Sequence, residues 1–189
     1  MGSHDSSTTY RPAARHFHWL TAGIVFVMFP VGLYMTYRSK TLNIWDGLTN
    51  TLYSGHKLAG MLLLLLVIAR LAYRFKNGAP PDEPSLAGWQ RAIAHLTHWS
   101  LYGLLLVVPL AGWVGISLYP SLGVFGLFSL PGLVTPDQDR AALAFLAHKW
   151  LGIAMALLIA AHVGAALFHN FILKDGVLRR MLPGLRPKR

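Results

Sequence analysis

Cysteine is absent from the sequence, and acidic residues are scarce. Without cysteine, disulfides, iron–sulfur clusters and thiolate-ligated haem are excluded. The sequence has seven Asp and Glu against seventeen Lys and Arg. Charged residues make up only 13% of the 189 residues, whereas hydrophobic residues make up 54%. There is no phosphate-binding glycine loop, no catalytic-triad pattern and no aromatic-basic surface for nucleic acid. The composition indicates a small membrane protein with lipid, not nucleic acid, as its surroundings.

Four stretches have the length and apolar character of membrane-spanning helices. We expect them at His16–Tyr37, about Leu52–Tyr73, about Arg91–Leu118 and from about Ala141 to His169. Short connections between them predict an all-α integral membrane protein, an antiparallel four-helix transmembrane bundle. The predicted parts are a flexible tail at 1–15, the transmembrane domain at 16–173 and a basic tail at 174–189. The apolar segment 121–134 should lie on the end of the bundle or in the interface.

Lysines and arginines are unevenly divided between the two ends of this bundle. Five of the seventeen lie on the side reached after the first and third spans: Arg38, Lys40, Lys57, Arg140 and Lys149. The remaining twelve lie on the side of both termini. The positive-inside rule therefore predicts that both termini are cytoplasmic.

Histidines occupy one face of the fourth span. His148 and His162 are fourteen residues apart, which places them within about 40° around the helix and roughly 21 Å apart along it. His169 follows seven residues later, within about 20° of the same face. Polar side chains at this depth usually face a protein interior. Interhelical hydrogen bonding would explain one such histidine, but three on one stripe favour ligation.

The directions of the helices sort the histidines by depth. His56 and His148 fall in an outer layer, and His18 and His162 fall in an inner layer with others. His16 is about 200° from His18 around the first helix, so only one of them can face the bundle, and the deeper His18 is favoured. Both outer histidines precede a glycine by four residues, in HKLAG and HKWLG. A missing side chain one turn along leaves space for a flat macrocycle.

Haem b suits this arrangement better than zinc does. It needs two axial imidazoles from opposite helices and an apolar slot between them. Two such sites at different depths would form an electron path across the membrane. Zinc would require a tighter tetrahedral cluster, usually with carboxylates, and all seven acidic residues are predicted to lie outside the spans. A haem-free histidine transporter remains a further hypothesis, which the colour of the protein would decide.

Several segments resemble the bacterial cytochrome b561 family, and within it the members that oxidise superoxide. These segments are FHWL at His18, SGHKLAG through VIARLAYR, AHLTHWSLYGLL, and the stretch from His148 to His169 continuing into KDGVLRRMLP. The resemblance implies a bacterial inner-membrane protein with two b haems. It assigns the outer haem to His56 and His148 and the inner haem to His18 and His162. It also implies oxidation of superoxide at the outer face and reduction of ubiquinone.

Lys57 and Lys149 directly follow the two outer histidines. They are candidates for steering superoxide, a small anion, towards the outer site. Snorkelling of their ammonium groups to the interface is the alternative explanation. The alternative function is a non-enzymatic cytochrome b anchor that passes electrons between quinone and a partner redox protein. The oligomeric state is left open.

Four further polar residues lie near the inner layer. Arg70 is a candidate partner for a haem propionate. His95, His98 and His169 are candidates to line a quinone pocket or to relay protons. For each of the four, a polar side chain satisfied at the interface is the alternative.

Overall fold

The chain forms a bundle of four long helices. The computed structural model describes residues 9–182, so the predicted tails lie partly outside the described residues. The helices are α1 (Pro12–Thr36), α2 (Gly47–Asn77), α3 (Gly88–Leu118) and α4 (Gln138–Phe168). α1 and α4 continue into π-helical turns at Tyr37–Thr41 and His169–Leu173, and a short 3₁₀ turn covers Leu178–Arg180. Each of the four is long and apolar enough to cross a membrane, which confirms the predicted fold class.

Each helix begins three to five residues before its predicted start. The first begins at Pro12, since proline at the first helical position needs no hydrogen-bond partner for its nitrogen. Asp137 caps α4 by accepting the Arg140 N–H at 3.1 Å. Asp139 therefore lies in the first turn of α4, and the prediction that all acidic residues lie outside the spans was wrong for this one. Polar capping turns carry no apolar periodicity, so the sequence pattern did not include them.

Asp46 fixes the start of α2. Its carboxylate accepts the Thr49 backbone N–H at 2.9 Å and pairs with Arg38 at 2.6 Å. Hydrogen bonds from the Thr49 backbone and hydroxyl, followed by the Arg38 guanidinium, lower the pKa of Asp46 to about 2. The cap therefore stays ionised at any physiological pH.

The helices pack in antiparallel order around a core at mid-depth. α1 packs on α2 and α3 on α4, with α2 also contacting α3. Val25, Leu63, Val67, Leu105 and Met155 are buried together at the centre. Met155 is seven residues from both His148 and His162, so this core separates the two histidine layers.

A short β-hairpin lies across the end of the bundle where α1 and α3 end, which we call the outer end. Strands β1 (Gly123–Val124) and β2 (Phe128–Ser129) pair antiparallel, and both Phe125 and Gly126 adopt positive φ in the turn. The Phe125 N–H donates to Ser54 Oγ of α2 at 3.0 Å. Residues 121–134, named the outer cap, thus lie on the bundle end as predicted.

Candidate cofactor sites

His56 of α2 and His148 of α4 face each other below the outer cap. Their ring centroids are 6.1 Å apart, with the ring planes nearly perpendicular. This separation admits one metal ion between the rings, with each coordinating nitrogen about 2 Å from it. The structure therefore brings together the two histidines that the sequence placed in the outer layer.

The hydrogen bonds of this pair suit axial ligation. His148 Nδ1 donates to the Val108 carbonyl at 2.8 Å, which fixes the tautomer and leaves Nε2 free to coordinate. His56 Nδ1 is buried without a hydrogen-bond partner among the described residues. A buried polar atom in that state costs about 1–3 kcal/mol. A bound group that reorients the His56 ring would relieve this cost.

Glycines on the neighbouring helices make room for the two rings. A Cβ on Gly32 of α1 would lie 3.1 Å from His56 Cε1, and one on Gly112 of α3 would lie 3.0 Å from His148 Cε1. The glycine four residues after His148, Gly152, faces open space. No sequence pattern marks Gly32 or Gly112 as parts of the site, because their role depends on which helices pack together.

A large cavity surrounds the outer pair. It has a volume of about 1350 Å³, above the roughly 300–1,000 Å³ of common small-ligand pockets. Most of its lining is apolar, and Gly60 and Gly152 contribute to it as the glycine pattern predicted. Such a space fits a flat macrocycle with one imidazole on each face.

Three histidines meet at the inner end of the bundle, where α1 and α3 begin. The His18 and His162 ring centroids are 6.3 Å apart, and those of His98 and His162 are 5.3 Å apart. His18 faces the bundle whereas His16 is exposed, as expected. Within residues 9–182, no group of three or more His, Cys, Asp or Glu side chains is arranged to hold a bare metal ion. A pair of imidazoles would leave the other coordination positions to a macrocycle.

Arg70 is the cation of the inner cluster. Its Nη2 lies 3.1 Å from His18 Nδ1, and its guanidinium lies 5.0 Å from the centre of the Tyr102 ring. No carboxylate among residues 9–182 pairs with it. Because arginine only donates, His18 Nδ1 accepts here, and a neutral His18 would carry its proton on Nε2. Coordination through Nε2 would therefore require Arg70 to leave Nδ1, and a haem propionate would offer the guanidinium an anionic partner.

Comparison with known proteins identifies the family. A family model described as prokaryotic cytochrome b561 matches residues 9–184. The chain belongs to this family. It is 34% identical to cytochrome b561 homolog 2 of Escherichia coli over 88% of this chain and 87% of the relative. Homolog 1 of the same organism is 33% identical over 89% and 93%, and a probable superoxide oxidase of Yersinia pestis is 26% identical over 89% and 93%.

Membership gives the two pairs a chemical context. Prokaryotic cytochromes b561 are haem b-binding electron-transfer proteins, so this chain is a multi-pass membrane cytochrome of an oxidoreductase family. Both histidine pairs have the spacing that such a haem requires. The orphaned His56 nitrogen and the glycine-lined cavity make the outer fit the clearer of the two.

The two lysines next to His56 and His148 have neutral partners in this cytochrome b561. Lys57 Nζ donates to the Ser121 carbonyl at 3.1 Å and to the Gly123 carbonyl, both in the outer cap. The Lys149 ammonium lies 5.6 Å from the centre of the Trp150 ring. Neither lysine forms an ion pair among the described residues, so their charges are not cancelled by carboxylates.

Only one of the three additional inner histidines joins the cluster. His98 lies beside His162, whereas His95 Nε2 lies 3.1 Å from Asp82 in the exposed α2–α3 loop. The hydrogen bond with His95 lowers the pKa of Asp82. His169 pairs instead with Asp175 beyond the end of α4. A helical wheel cannot show such partners, because both acids come from segments outside the helices.

Proposed function

We propose that this cytochrome b561 holds two b haems, an outer one between His56 and His148 and an inner one between His18 and His162. The support is geometric: each pair joins two different helices, and its members on α4, His148 and His162, are fourteen residues apart. Haem supplies reversible one-electron chemistry when bound. The chain would supply the coordinating imidazole nitrogens, the apolar slot and, through Arg70, a cation for a propionate.

We propose that the electron donor is superoxide and that the acceptor is ubiquinone. The observation that carries this proposal is the outer cavity, which reaches from the histidine pair to the outer end and is lined by Lys40, Lys57 and Lys149. No carboxylate of the described chain lines it. A positively charged, carboxylate-free entrance favours capture of a small anion. A relative bears the name probable superoxide oxidase, which also supports this donor.

The orientation proposed for this reaction places both termini in the cytoplasm. The outer cavity then faces the periplasm, where superoxide would arrive, and the inner cluster lies near the cytoplasmic side. The uneven division of lysine and arginine supports this orientation.

A pulse of superoxide should reduce the haems of the purified protein without any added protein partner. Added short-chain ubiquinone should then reoxidise them. Stopped-flow absorbance of the haem bands measures both steps. If superoxide does not reduce the haems but a copurifying redox protein does, the chain is the electron-transfer anchor, a function that the names of the two Escherichia coli homologs equally allow.

Replacing Lys57 and Lys149 together by Gln should slow haem reduction by superoxide. Steering of this kind changes association rates by about 10- to 1,000-fold, and we expect about tenfold with a weaker dependence on ionic strength. The measurement is the same pulse at several salt concentrations. Arg140→Gln is the matched control, since Arg140 is exposed on the same end, pairs with Asp137 and does not line the cavity. Equal rates and salt slopes in the double variant and the parent would identify the lysines as interfacial anchors.

A further inference from the structure

A largely buried acid–base pair at the inner end is not used by either proposed haem site. His169 Nδ1 lies 2.5 Å from Asp175 Oδ2, and the two side chains are only 14% and 10% exposed. The other carboxylate oxygen of Asp175 accepts the Val177 N–H at 3.1 Å. Both oxygens of Asp175 are therefore held, and the direction of its carboxylate towards the imidazole is fixed.

The segment that carries Asp175 is fastened across the inner end. Residues 174–182, named the inner strap, bond to three other parts of the chain. Met181 accepts the Trp19 indole N–H at 3.2 Å, Arg180 donates to the Pro81 carbonyl, and the Tyr10 N–H donates to Arg180 O at 3.3 Å. The strap thus holds Asp175 in place against α4.

Charged and titratable groups near this pair come from the inner strap, the α2–α3 loop and α4. Lys174 precedes Asp175, Arg179 donates to the Asp175 backbone carbonyl at 3.2 Å, and Glu83 of the α2–α3 loop lies against Gly176. The nearest titratable group above it on α4 is His162, seven residues away, or about 10 Å along the helix. In the described chain only Asp175 bonds to the His169 ring.

The hydrogen bond determines what the His169 ring can do. Because the carboxylate accepts from Nδ1–H, the second nitrogen, Nε2, is the one left to exchange a proton with another molecule. A carboxylate in this position orients the imidazole and holds its Nδ1–H without taking that proton itself. This is the arrangement of a general acid.

We propose that His169 donates protons to the quinone reduced at the inner end and that Asp175 is its positioning residue. The proposal rests on the proposed quinone reduction. Each quinone takes two electrons, which two superoxide ions supply on becoming dioxygen, and two protons. Each proton leaves Nε2 of the His169 imidazolium as the N–H bond breaks and an O–H bond to the quinone forms. A proton from the cytoplasm then restores the imidazolium.

Asp175→Asn should slow reoxidation of the reduced holoprotein by a short-chain ubiquinone about tenfold to a hundredfold, within the range of general-acid effects. Chemical reduction beforehand removes any dependence on superoxide. Reoxidation by ferricyanide, which takes an electron without a proton, should keep its parental rate. Stopped-flow haem absorbance with each oxidant gives both rates, and His169→Gln should behave like Asp175→Asn.

Two variants show whether the effect belongs to this pair. Asp175→Glu keeps a carboxylate and should restore much of the quinone rate. Asp82→Asn removes the carboxylate of the exposed His95 pair at the same end, and it should keep the parental quinone rate. A quinone defect in Asp82→Asn alone would overturn the proposal and move the proton donor to His95.

The remaining outcomes separate this inference from the function it rests on. If the unsubstituted protein is not reoxidised by quinone, the proposed function fails. If that protein reacts and Asp175→Asn reacts equally fast, only the role of the pair fails. Equal slowing with ferricyanide would show a structural role and would also overturn it. As a readout apart from turnover, ¹⁵N NMR of the His169 ring should show the proton on Nδ1 in the parent and its redistribution in Asp175→Asn.

Discussion

Replacing His56 or His148 by alanine should lower the haem content from two per chain to about one. The remaining spectrum should be that of the inner haem, because His18 and His162 lie at the opposite end of the buried core. Either substitution removes one of only two axial nitrogens, so loss of the outer haem should be nearly complete. Haem quantified per polypeptide, with a reduced-minus-oxidised visible spectrum, measures the result.

His16→Ala is the control for this experiment. His16 is exposed on α1, two residues from His18, and its removal should leave both haems in place. A haem content near one in the unsubstituted protein would contradict the two-site assignment. So would a high-spin ferrous spectrum that binds carbon monoxide readily, since two imidazoles per iron leave no open position.

His18→Ala or His162→Ala should remove the inner haem and keep the outer spectrum. This is the more demanding prediction, because His98 lies nearer to His162 than His18 does. We expect His18 to be the ligand because Arg70 would turn to a propionate. That movement would release the Nδ1 atom of His18 from its contact with Arg70. Haem content and spectra of the single variants, including His98→Ala, test this directly.

His98→Ala should retain two haems under this assignment. If it loses the inner haem while His18→Ala keeps it, the inner ligand lies on α3. Arg70→Gln adds a second measurement, since loss of the propionate partner should lower retention of the inner haem and leave the outer haem unchanged.

The number of helices, the depth of the histidines and the pairing of His56 with His148 could be predicted from the sequence. They follow from the length of the apolar runs and from helical periodicity. Twenty apolar residues span a bilayer, and the known direction of each span places His56 level with His148. The same 100° step per residue shows that only one of His16 and His18 can face the bundle, and the greater depth of His18 favours it.

The supporting contacts could not be predicted in this way. Gly32 and Gly112 matter only because α1 packs beside His56 and α3 beside His148. The carbonyl partners of Lys57 lie in the outer cap, more than sixty residues along the chain. The partner of His169 depends on how the strap folds back, which no helical pattern encodes.

The shared use of α4 has a consequence for biosynthesis. This helix contributes His148 to one pair and His162 to the other, and it is the last of the four to leave the ribosome. α1 and α2 would enter the membrane holding His18 and His56 without their partners. With the haems placed as proposed, neither could be held by both of its histidines until the final helix had been inserted. A chain interrupted within the outer cap would therefore hold neither haem between two histidines.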